Sequence, residues 1–328
     1  MEYTLQIQNL KTQFHTRKGI VPAVDGVTID IPKGKIVGLV GESGCGKSMT
    51  AMSVMQLVRN PGKIVDGKIM LMGKDLLEAT PAEMRSIRGN DIAMIFQEPM
   101  TSLNPVFTVG KQVREAILLH QKATKEEAKQ KVIEIFRKCG IPEPEKRYNS
   151  YPHQLSGGLR QRVMIAMAMV CEPELLIADE PTTALDVTIE AQILKLMKQL
   201  RDEHGTSILM ITHNMGVVAQ MCDYVYVMYA GKVMEQAETF ELFRNTRHPY
   251  TTGLLNSIPK MDSHVDRLYS IRGVVPNLLH LPEGCSFCTR CDFADDHCRK
   301  VRPELFELGE DHKVRCFKCQ EGGEGSGE

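Results

Sequence analysis

The segment GESGCGKS at residues 41–48 constrains the fold of this chain more than any other feature. It follows a short apolar run at 36–40, which suits a strand buried on both faces. Residues 49–57 follow it and contain neither Gly nor Pro, which suits a helix. A strand, a glycine-rich turn and a helix at this spacing predict a phosphate-binding loop rather than a chance Gly-rich turn. We therefore predict that the chain binds a nucleoside triphosphate.

The residue types in this segment match the chemistry of a triphosphate. Glycines let backbone N–H groups surround an anion, and the helix N-terminus adds partial positive charge. Lys47 is expected to reach the β- and γ-phosphates, and Ser48 to ligate Mg²⁺. The predicted nucleotide contacts here are Gly41, Ser43, Gly44, Cys45, Gly46, Lys47, Ser48 and Met49.

Length and charge narrow the classes of function. A chain of 328 residues suggests roughly two domains. With 40 Lys and Arg against 41 Asp and Glu, nothing indicates nucleic acid or acidic lipid as a partner. The first residues lack the pattern of a signal peptide, and no apolar run approaches the ~20 residues of a membrane span. The expectation is a cytosolic protein.

Polar side chains follow three further apolar segments. These are 91–96 before Gln97, 175–178 before Asp179 and Glu180, and 207–211 before His213. Strands alternating with helices indicate a mostly parallel α/β sheet, whose ligands gather at strand C-termini. We therefore expect one crevice to hold these residues and the phosphate loop.

The roles of these residues follow from their chemistry. Asp179 is the expected Mg²⁺-side carboxylate, and Glu180 beside it is a candidate general base for the attacking water. An Asp-Glu pair alone is often only a solvated turn, and a lone His such as His213 is often structural. The phosphate loop upstream favours the functional interpretation for all three.

Leu155-Ser156-Gly157-Gly158 opens a helix, with Ser156 as a good N-cap. The glycines expose backbone, so the segment is either a second anion-binding helix terminus or a plain capping turn. With the two phosphate-site motifs it resembles the signature of the ATP-binding-cassette (ABC) family. The resemblance covers residues 1 to about 260 and implies a P-loop NTPase fold with a parallel sheet core.

The family motifs match this sequence position by position. They are Walker A at 41–48, the Q-loop at Gln97, the signature at 155–158, Walker B at 175–180, the D-loop at 184–186 and the switch His213. The resemblance implies that Gln97 senses Mg²⁺ and the γ-phosphate, and that His213 hydrogen-bonds the γ-phosphate. It also implies that the signature residues Ser156, Gly157 and Gly158 complete the ATP site of a second subunit, and that the D-loop residue Asp186 is a nucleotide-binding residue. Phe14 is either the aromatic that stacks on adenine or a core residue.

A closer likeness lies at 97–105, 151–154 and 247–251, which resemble the ATPase subunits of bacterial dipeptide and oligopeptide importers. That branch also includes nickel and glutathione importers. The resemblance implies an ATPase bound peripherally at the cytoplasmic face of the inner membrane. Implied partners are a second ATPase subunit, commonly a paralogue, two transmembrane permease subunits and an extracytoplasmic peptide-binding protein. The alternatives are a soluble cassette protein acting on nucleic acid or ribosomes, and an exporter, which normally carries a fused membrane domain.

The predicted domains are an ABC ATP-binding domain at 1–260 and a C-terminal extension at 261–328. The first includes a helical subdomain at about 98–165. The extension is poor in apolar residues and is expected to need a stabilising cross-link or bound metal in order to fold.

Six cysteines cluster in the extension. Cys288-x-x-Cys291 and Cys316-x-x-Cys319 form two knuckles typical of a zinc site, and spacing alone leaves zinc, an iron–sulfur cluster and free thiols open. In the importer branch four cysteines of this extension hold a [4Fe–4S] cluster. The resemblance therefore favours a cluster on Cys285, Cys291, Cys298 and Cys316, with zinc and the additional ligands Cys288 and Cys319 as the alternative.

Overall fold

The computed structural model describes residues 2–97, 102–183, 185–258, 269–309 and 311–320. Its strands are β1 (Tyr3–Thr16), β2 (Gly19–Pro32), β3 (Ile36–Val40), β4 (Gly62–Leu71), β5 (Lys74–Asp75), β6 (Ile92–Ile95), β7 (Leu175–Asp179), β8 (Ser207–Thr212), β9 (Tyr224–Tyr229), β10 (Lys232–Glu238), β11 (Phe306–Gly309) and β12 (His312–Val314). Its α-helices are α1 (Lys47–Val54), α2 (Pro81–Ile87), α3 (Val109–His120), α4 (Lys125–Lys138), α5 (Pro144–Arg147), α6 (Gly157–Met169), α7 (Val187–His204), α8 (Met215–Met221), α9 (Thr239–Arg244), α10 (Pro249–Asn256) and α11 (Asp296–Lys300). Residues 98–101, within the importer-like segment at 97–105, and Ala184 of the predicted D-loop lie outside the described residues.

The chain divides into two compact units. The first comprises Met1–Leu5, Ile31–Lys35 and Leu71–Met210, and the second comprises Gln6–Asp30, Ile36–Met70 and Ile211–Glu328.

The first unit combines parallel strands with a group of helices. Strands β6 and β7 pair in parallel, with Ile92 opposite Leu175 and Ile95 opposite Ala178. Both strands are short and largely apolar, as expected for strands covered on both faces. Helices α3, α4 and α6 pack on one another. The unit therefore contains a helical portion between the strands β6 and β7.

Helix α4 illustrates how the sequence defines these elements. Thr124 is its N-cap and accepts a hydrogen bond from the backbone N–H of Glu127, while the Glu127 carboxylate accepts from the N–H of Thr124 at 2.7 Å. This capping box satisfies N–H groups that no helical carbonyl can reach. Val132 and Phe136 lie four residues apart and are both buried, so they form the inner face of the helix.

The second unit contains the strand that precedes the phosphate loop. All five residues of β3 are buried, and β3 pairs in parallel with β9, with Val37 opposite Tyr224 and Val40 opposite Val227. Strand β9 continues into an antiparallel series in which β10 pairs with β9, β12 with β10 and β11 with β12. The extension thus contributes two strands to this sheet.

Parallel pairing at β3–β9 and β6–β7, with helices between successive strands, confirms the predicted α/β class. The predicted polar side chains lie at the ends of their strands: Asp179 is the last residue of β7, His213 directly follows β8, and Gln97 lies two residues after β6. Within the described part of the chain, no helix combines the length and apolar character needed to cross a membrane.

Candidate functional site

The loop at 41–48 has a backbone that only glycine accommodates at two of its positions. Gly41 has φ +150° and Gly46 has φ +110°, both in the region that disfavours L side chains. A Cβ on Gly41 would lie 2.2 Å from the carbonyl O of Met228, and one on Gly46 would lie 2.4 Å from the carbonyl O of Ala23. The glycines therefore let the loop pack directly on neighbouring backbone.

The outer side of the same loop is open. Ser43, Gly44 and Ser48 are exposed, and a Cβ placed on Gly44 would meet no atom within 4 Å. Helix α1 begins directly behind, so its free N–H groups and the loop amides belong to the same turn. Met49 follows in the first turn of α1 and is half-buried. This arrangement fits an anion such as a polyphosphate.

Lys47 folds back over its own loop. Its side chain donates from Nζ to the carbonyl O of Gly41 at 2.7 Å and of Glu42 at 3.1 Å. Lys47 is only 5% exposed, so these carbonyls fix where its charge lies. Cys45 is buried beside it, and burial raises the pKa of that thiol. The loop therefore holds one cation and a neutral thiol.

Two predicted catalytic residues meet in the first unit. Gln97 donates from Nε2 to Oε2 of Glu180 at 2.9 Å. Thr183 donates from Oγ1 to the same carboxylate oxygen at 3.0 Å. Glu180 has φ +48°, a left-handed conformation that turns it away from the direction of β7. Asp179, the last residue of β7, is 5% exposed.

The predicted signature residues open helix α6. Ser156 is its N-cap and accepts a hydrogen bond from the N–H of Leu159 at 3.4 Å. Gly157 and Gly158 form the first turn, and a Cβ on Gly158 would lie 3.0 Å from Cγ2 of Ile189. Asp186 caps the adjacent helix α7 by accepting from the N–H of Ile189 at 2.9 Å. Ser156 and Asp186 thus both occupy helix N-caps, at neighbouring helices.

His213 and Phe14 belong to the second unit. His213 is exposed between β8 and α8, and its neighbour Asn214 caps α8 by accepting from the N–H of Gly216 at 2.9 Å. Phe14 is half-buried in β1, and a Cβ on Gly62 would lie 2.8 Å from its Cε1. One edge of the Phe14 ring is therefore covered by the start of β4.

Sequence reasoning missed two side chains that hold the phosphate loop. Arg290 forms a two-bonded ion pair with Glu42, at 2.5 and 3.0 Å, and the hydroxyl of Tyr250 accepts from the N–H of Glu42 at 2.8 Å. One signal was present in the sequence. An acidic residue inside an anion-binding loop needs a cation to balance it.

The cysteines of the extension lie near one another. Cys285, Cys288, Cys291, Cys298 and Cys316 line one apolar cavity together with Phe287, Phe293 and Phe317. Cys285 and Cys298 are linked through the backbone, with the N–H of Cys285 donating to the carbonyl of Cys298 at 2.8 Å. Cys319 donates from Sγ to the carbonyl O of Arg247 at 3.4 Å.

The prediction of a metal centre in this cluster is wrong. Among the residues that the structure describes, no three or more His, Cys, Asp or Glu side chains are arranged to hold a metal ion. This corrects the assignment of a [4Fe–4S] cluster to Cys285, Cys291, Cys298 and Cys316, and of zinc to a set including Cys288 and Cys319. A metal needs several thiolates that converge on it, and the described cysteines share a cavity without forming such a set. Spacing along the chain had indicated proximity but not convergence.

Comparison with known proteins identifies the family. Residues 24–183 match the family model described as ABC transporter, and residues 234–298 match the one described as oligopeptide/dipeptide transporter, C-terminal region. The chain is 52% identical to the oligopeptide transport ATP-binding protein AppD of Bacillus subtilis, over 98% of this chain and 99% of AppD. It is 49% identical to the dipeptide transport ATP-binding protein DppD of the same organism, over 97% of this chain and 95% of DppD.

A solved structure supports the same conclusion. The fold resembles the dimeric ATP-binding cassette MJ0796 bound to ADP and Pi in a post-hydrolysis state. The TM-score is 0.65 at 26% identity, covering 72% of this chain and 98% of that one. With a phosphate loop of this geometry and relatives near half identity over almost its whole length, the chain belongs to the ABC family of transporter ATPases and carries the C-terminal region of the oligopeptide/dipeptide transporters.

Proposed function

We propose that this chain is the ATP-hydrolysing subunit of an importer for dipeptides or oligopeptides. The observation that carries the cargo class is the match of residues 234–298 to the oligopeptide/dipeptide C-terminal region. The relatives named as oligopeptide and dipeptide transport proteins align over at least 97% of this chain, so the likeness is not confined to the cassette.

The proposed ATP site uses the phosphate loop as its base. The loop amides and the N-terminus of α1 bind the phosphates, and Lys47 moves from its two carbonyl partners toward the β- and γ-phosphates. Mg²⁺ neutralises phosphate charge when bound, and Ser48, Gln97 and Asp179 are the side chains that would hold it. The exposed side chain of Ser48 and the open space beside Gly44 support the placement of the phosphates and Mg²⁺ at this loop. Phe14 is the candidate for stacking on adenine.

Hydrolysis requires a base and a group that stabilises the γ-phosphate. Glu180 is the proposed general base, because its carboxylate already accepts hydrogen bonds and stands beside Gln97. His213 is proposed to donate to the γ-phosphate. Ser156, Gly157, Gly158 and Asp186 are proposed to act on the nucleotide of a second subunit, so that ATP joins two cassettes and hydrolysis separates them.

The proposed assembly follows from the family. It pairs this subunit with a second ATPase, commonly a paralogue, on two transmembrane permease subunits that receive cargo from an extracytoplasmic binding protein. The subunit is proposed to sit peripherally at the cytoplasmic face of the inner membrane. Within it, 1–260 is the proposed ATP-binding domain, with a helical subdomain at about 98–165, and 261–328 is the extension.

The test is reconstitution. The chain is co-expressed with the permease and ATPase subunits encoded beside it, purified as a complex and placed in liposomes with the cognate binding protein. Di- and oligopeptides should stimulate ATP hydrolysis and accumulate, and a complex carrying Lys47→Ala should do neither. Stimulation by nickel or glutathione, and not by peptides, would replace the peptide assignment with another cargo of the same branch.

A further inference from the structure

An arginine of the C-terminal extension binds a residue of the phosphate loop. Arg290 donates from Nη1 to Oε2 of Glu42 at 2.5 Å and from Nη2 to Oε1 at 3.0 Å. The two bonds run in parallel between a planar guanidinium and a carboxylate, which is the strongest form of this pair. The partners are 248 residues apart in sequence, so the contact joins the extension to the loop.

Arg290 is held in place on its other sides. Its side chain is only 3% exposed. Nε donates to the carbonyl O of Arg272 at 2.8 Å, and Nη1 lies 3.4 Å from the hydroxyl of Tyr229. The guanidinium carbon also lies 5.7 Å from the centre of the Tyr229 ring. A buried arginine with these partners has one orientation, and in that orientation both Nη groups face the Glu42 carboxylate.

Glu42 in turn sets the position of Lys47. Its N–H donates to the Tyr250 hydroxyl at 2.8 Å, and its carbonyl O accepts from Nζ of Lys47 at 3.1 Å. The carboxylate is held by Arg290, so side chain, N–H and carbonyl are each tied to a different residue. A displacement of Glu42 would therefore move an acceptor of the lysine that is assigned to the phosphates.

The charge of Glu42 matters as well as its position. A carboxylate within a loop that binds a polyphosphate repels the ligand unless a cation neutralises it. Its side chain is 28% exposed, so water screens it only in part. The guanidinium of Arg290 supplies the neutralising charge through its two hydrogen bonds to the carboxylate.

We propose that Arg290 is a positioning residue for ATP binding, which fixes and neutralises Glu42 so that the phosphate loop accepts the polyphosphate. This inference rests on the proposed placement of the ATP phosphates at residues 41–48. It makes Arg290 of the extension a support of the nucleotide site, acting through Glu42.

The test measures ATP affinity of the purified full chain by fluorescence of a labelled ATP analogue in the presence of Mg²⁺. Arg290→Gln should weaken binding about tenfold, because an unpaired carboxylate remains in the loop. Glu42→Gln alone completes the double-mutant cycle, because it removes the carboxylate while Arg290 keeps its charge. The double variant Arg290→Gln with Glu42→Gln should recover most of the lost affinity, because the repelling charge is gone.

A docking role alone predicts a different pattern. If the pair only attached the extension, the double variant would bind ATP as weakly as Arg290→Gln, and that result would overturn the proposal. So would unchanged affinity in a folded Arg290→Gln protein. Arg290→Lys keeps the positive charge but cannot form the two parallel hydrogen bonds to the carboxylate, and it replaces the Gln variant in the test if that variant does not fold. It should weaken binding roughly threefold, and wild-type affinity would again overturn the proposal.

Two further measurements separate this inference from the site assignment on which it rests. Lys47→Ala should abolish binding if the loop holds the phosphates, and full affinity in that variant would refute the site itself. Arg272→Gln is the matched control. It also replaces an arginine of the extension by Gln, but the Arg272 side chain is 86% exposed and its Nη1 forms a long ion pair, at 3.7 Å, with Oδ1 of Asp292. It should bind ATP normally. In the assembled transporter, Arg290→Gln should raise KM for ATP while kcat stays within about twofold.

Discussion

Gln97 donates to the same carboxylate oxygen of Glu180 that accepts from Thr183, at 2.9 and 3.0 Å. The side chain assigned as general base is therefore held in one orientation by two donors. Replacing Glu180 by Gln keeps the size but removes the basic oxygen. We expect Glu180→Gln to bind ATP and to hydrolyse it roughly 10²–10⁴ times more slowly in the assembled transporter.

A matched variant tests whether this effect is specific to Glu180. Glu190 also accepts from a nearby threonine, since Thr182 donates to its Oε1 at 2.7 Å. Glu190→Gln should therefore keep near-normal turnover. Near-normal turnover in Glu180→Gln would instead show that another group accepts the proton from water.

Ser156→Arg tests whether the signature acts on a partner's nucleotide. Ser156 is exposed at the N-cap of α6, and a long cation there would block a neighbouring subunit. The isolated chain should bind ATP nearly as before, whereas the complex should lose hydrolysis. Loss of a cap alone costs about 1 kcal/mol of stability, so binding and unfolding are measured together.

Thr124→Arg is the control for that substitution. Thr124 is likewise an exposed N-cap, at α4, and its replacement by Arg removes a comparable cap hydrogen bond. Its complex should hydrolyse ATP normally. Equal loss of ATP binding by the isolated chain in Ser156→Arg would show that the signature serves its own site.

Alanine substitutions in the phosphate loop should separate two costs in stability, that of a left-handed backbone and that of a steric clash. Gly41→Ala places a Cβ 2.2 Å from the Met228 carbonyl, whereas Gly44→Ala meets no atom within 4 Å, although both have positive φ. Gly44→Ala should cost about 1 kcal/mol for its left-handed backbone, and Gly41→Ala roughly 3 kcal/mol or more. Thermal unfolding of both variants measures the difference. Equal losses of stability would show that the loop shifts to accept a methyl group at Gly41.

The buried His248 should make stability depend on pH. Burial lowers its pKa to about 4 from an ordinary 6.5, and its Nδ1 accepts from the N–H of Tyr250 at 3.0 Å. As pH falls below 6.5 the unfolded chain binds a proton that the folded chain does not, so stability falls until about pH 4. Between pH 7.5 and 5 this histidine should remove about 2 kcal/mol from the free energy of unfolding.

His248→Asn keeps an acceptor at the N-cap of α10 and removes the titration. Urea unfolding of both proteins at the two pH values isolates the contribution. The neighbouring Glu235 accepts from the N–H of His248 at 3.1 Å and is unchanged in both. The same loss of stability in the variant would assign the pH dependence to other groups.

Sequence alone was sufficient for the features that local pattern encodes. The glycines and lysine at 41–48, the acidic pair after β7 and the cap at Ser156 each depend on neighbours within a few residues. The α/β class with parallel strands followed as well, because continuous apolar segments between helices have few alternatives to a parallel sheet.

The remaining features depend on pairs that are distant in sequence. Nothing near Arg290 indicates that it meets Glu42, and nothing near Tyr250 indicates that its hydroxyl meets the same residue. The prediction of a metal centre at the cysteine cluster was wrong for a related reason. The two Cys-x-x-Cys segments predicted that thiols would be neighbours, and five of the six cysteines do line one cavity. Local spacing does not specify whether such neighbours are arranged to hold a metal ion, and among the described residues they are not.

Strand β12 covers the edge of β10, with Val314 opposite Glu235 and the N–H of Arg315 bonded to the carbonyl of Met234 at 2.7 Å. A protein shortened at residue 260 would keep every nucleotide motif but would expose those backbone groups to solvent. An uncovered strand recruits other chains. We expect such a shortened cassette to aggregate through β10 as it is made, which is measured as light scattering. Swapping extensions between paralogues would then have to preserve a strand register as well as a recognition surface.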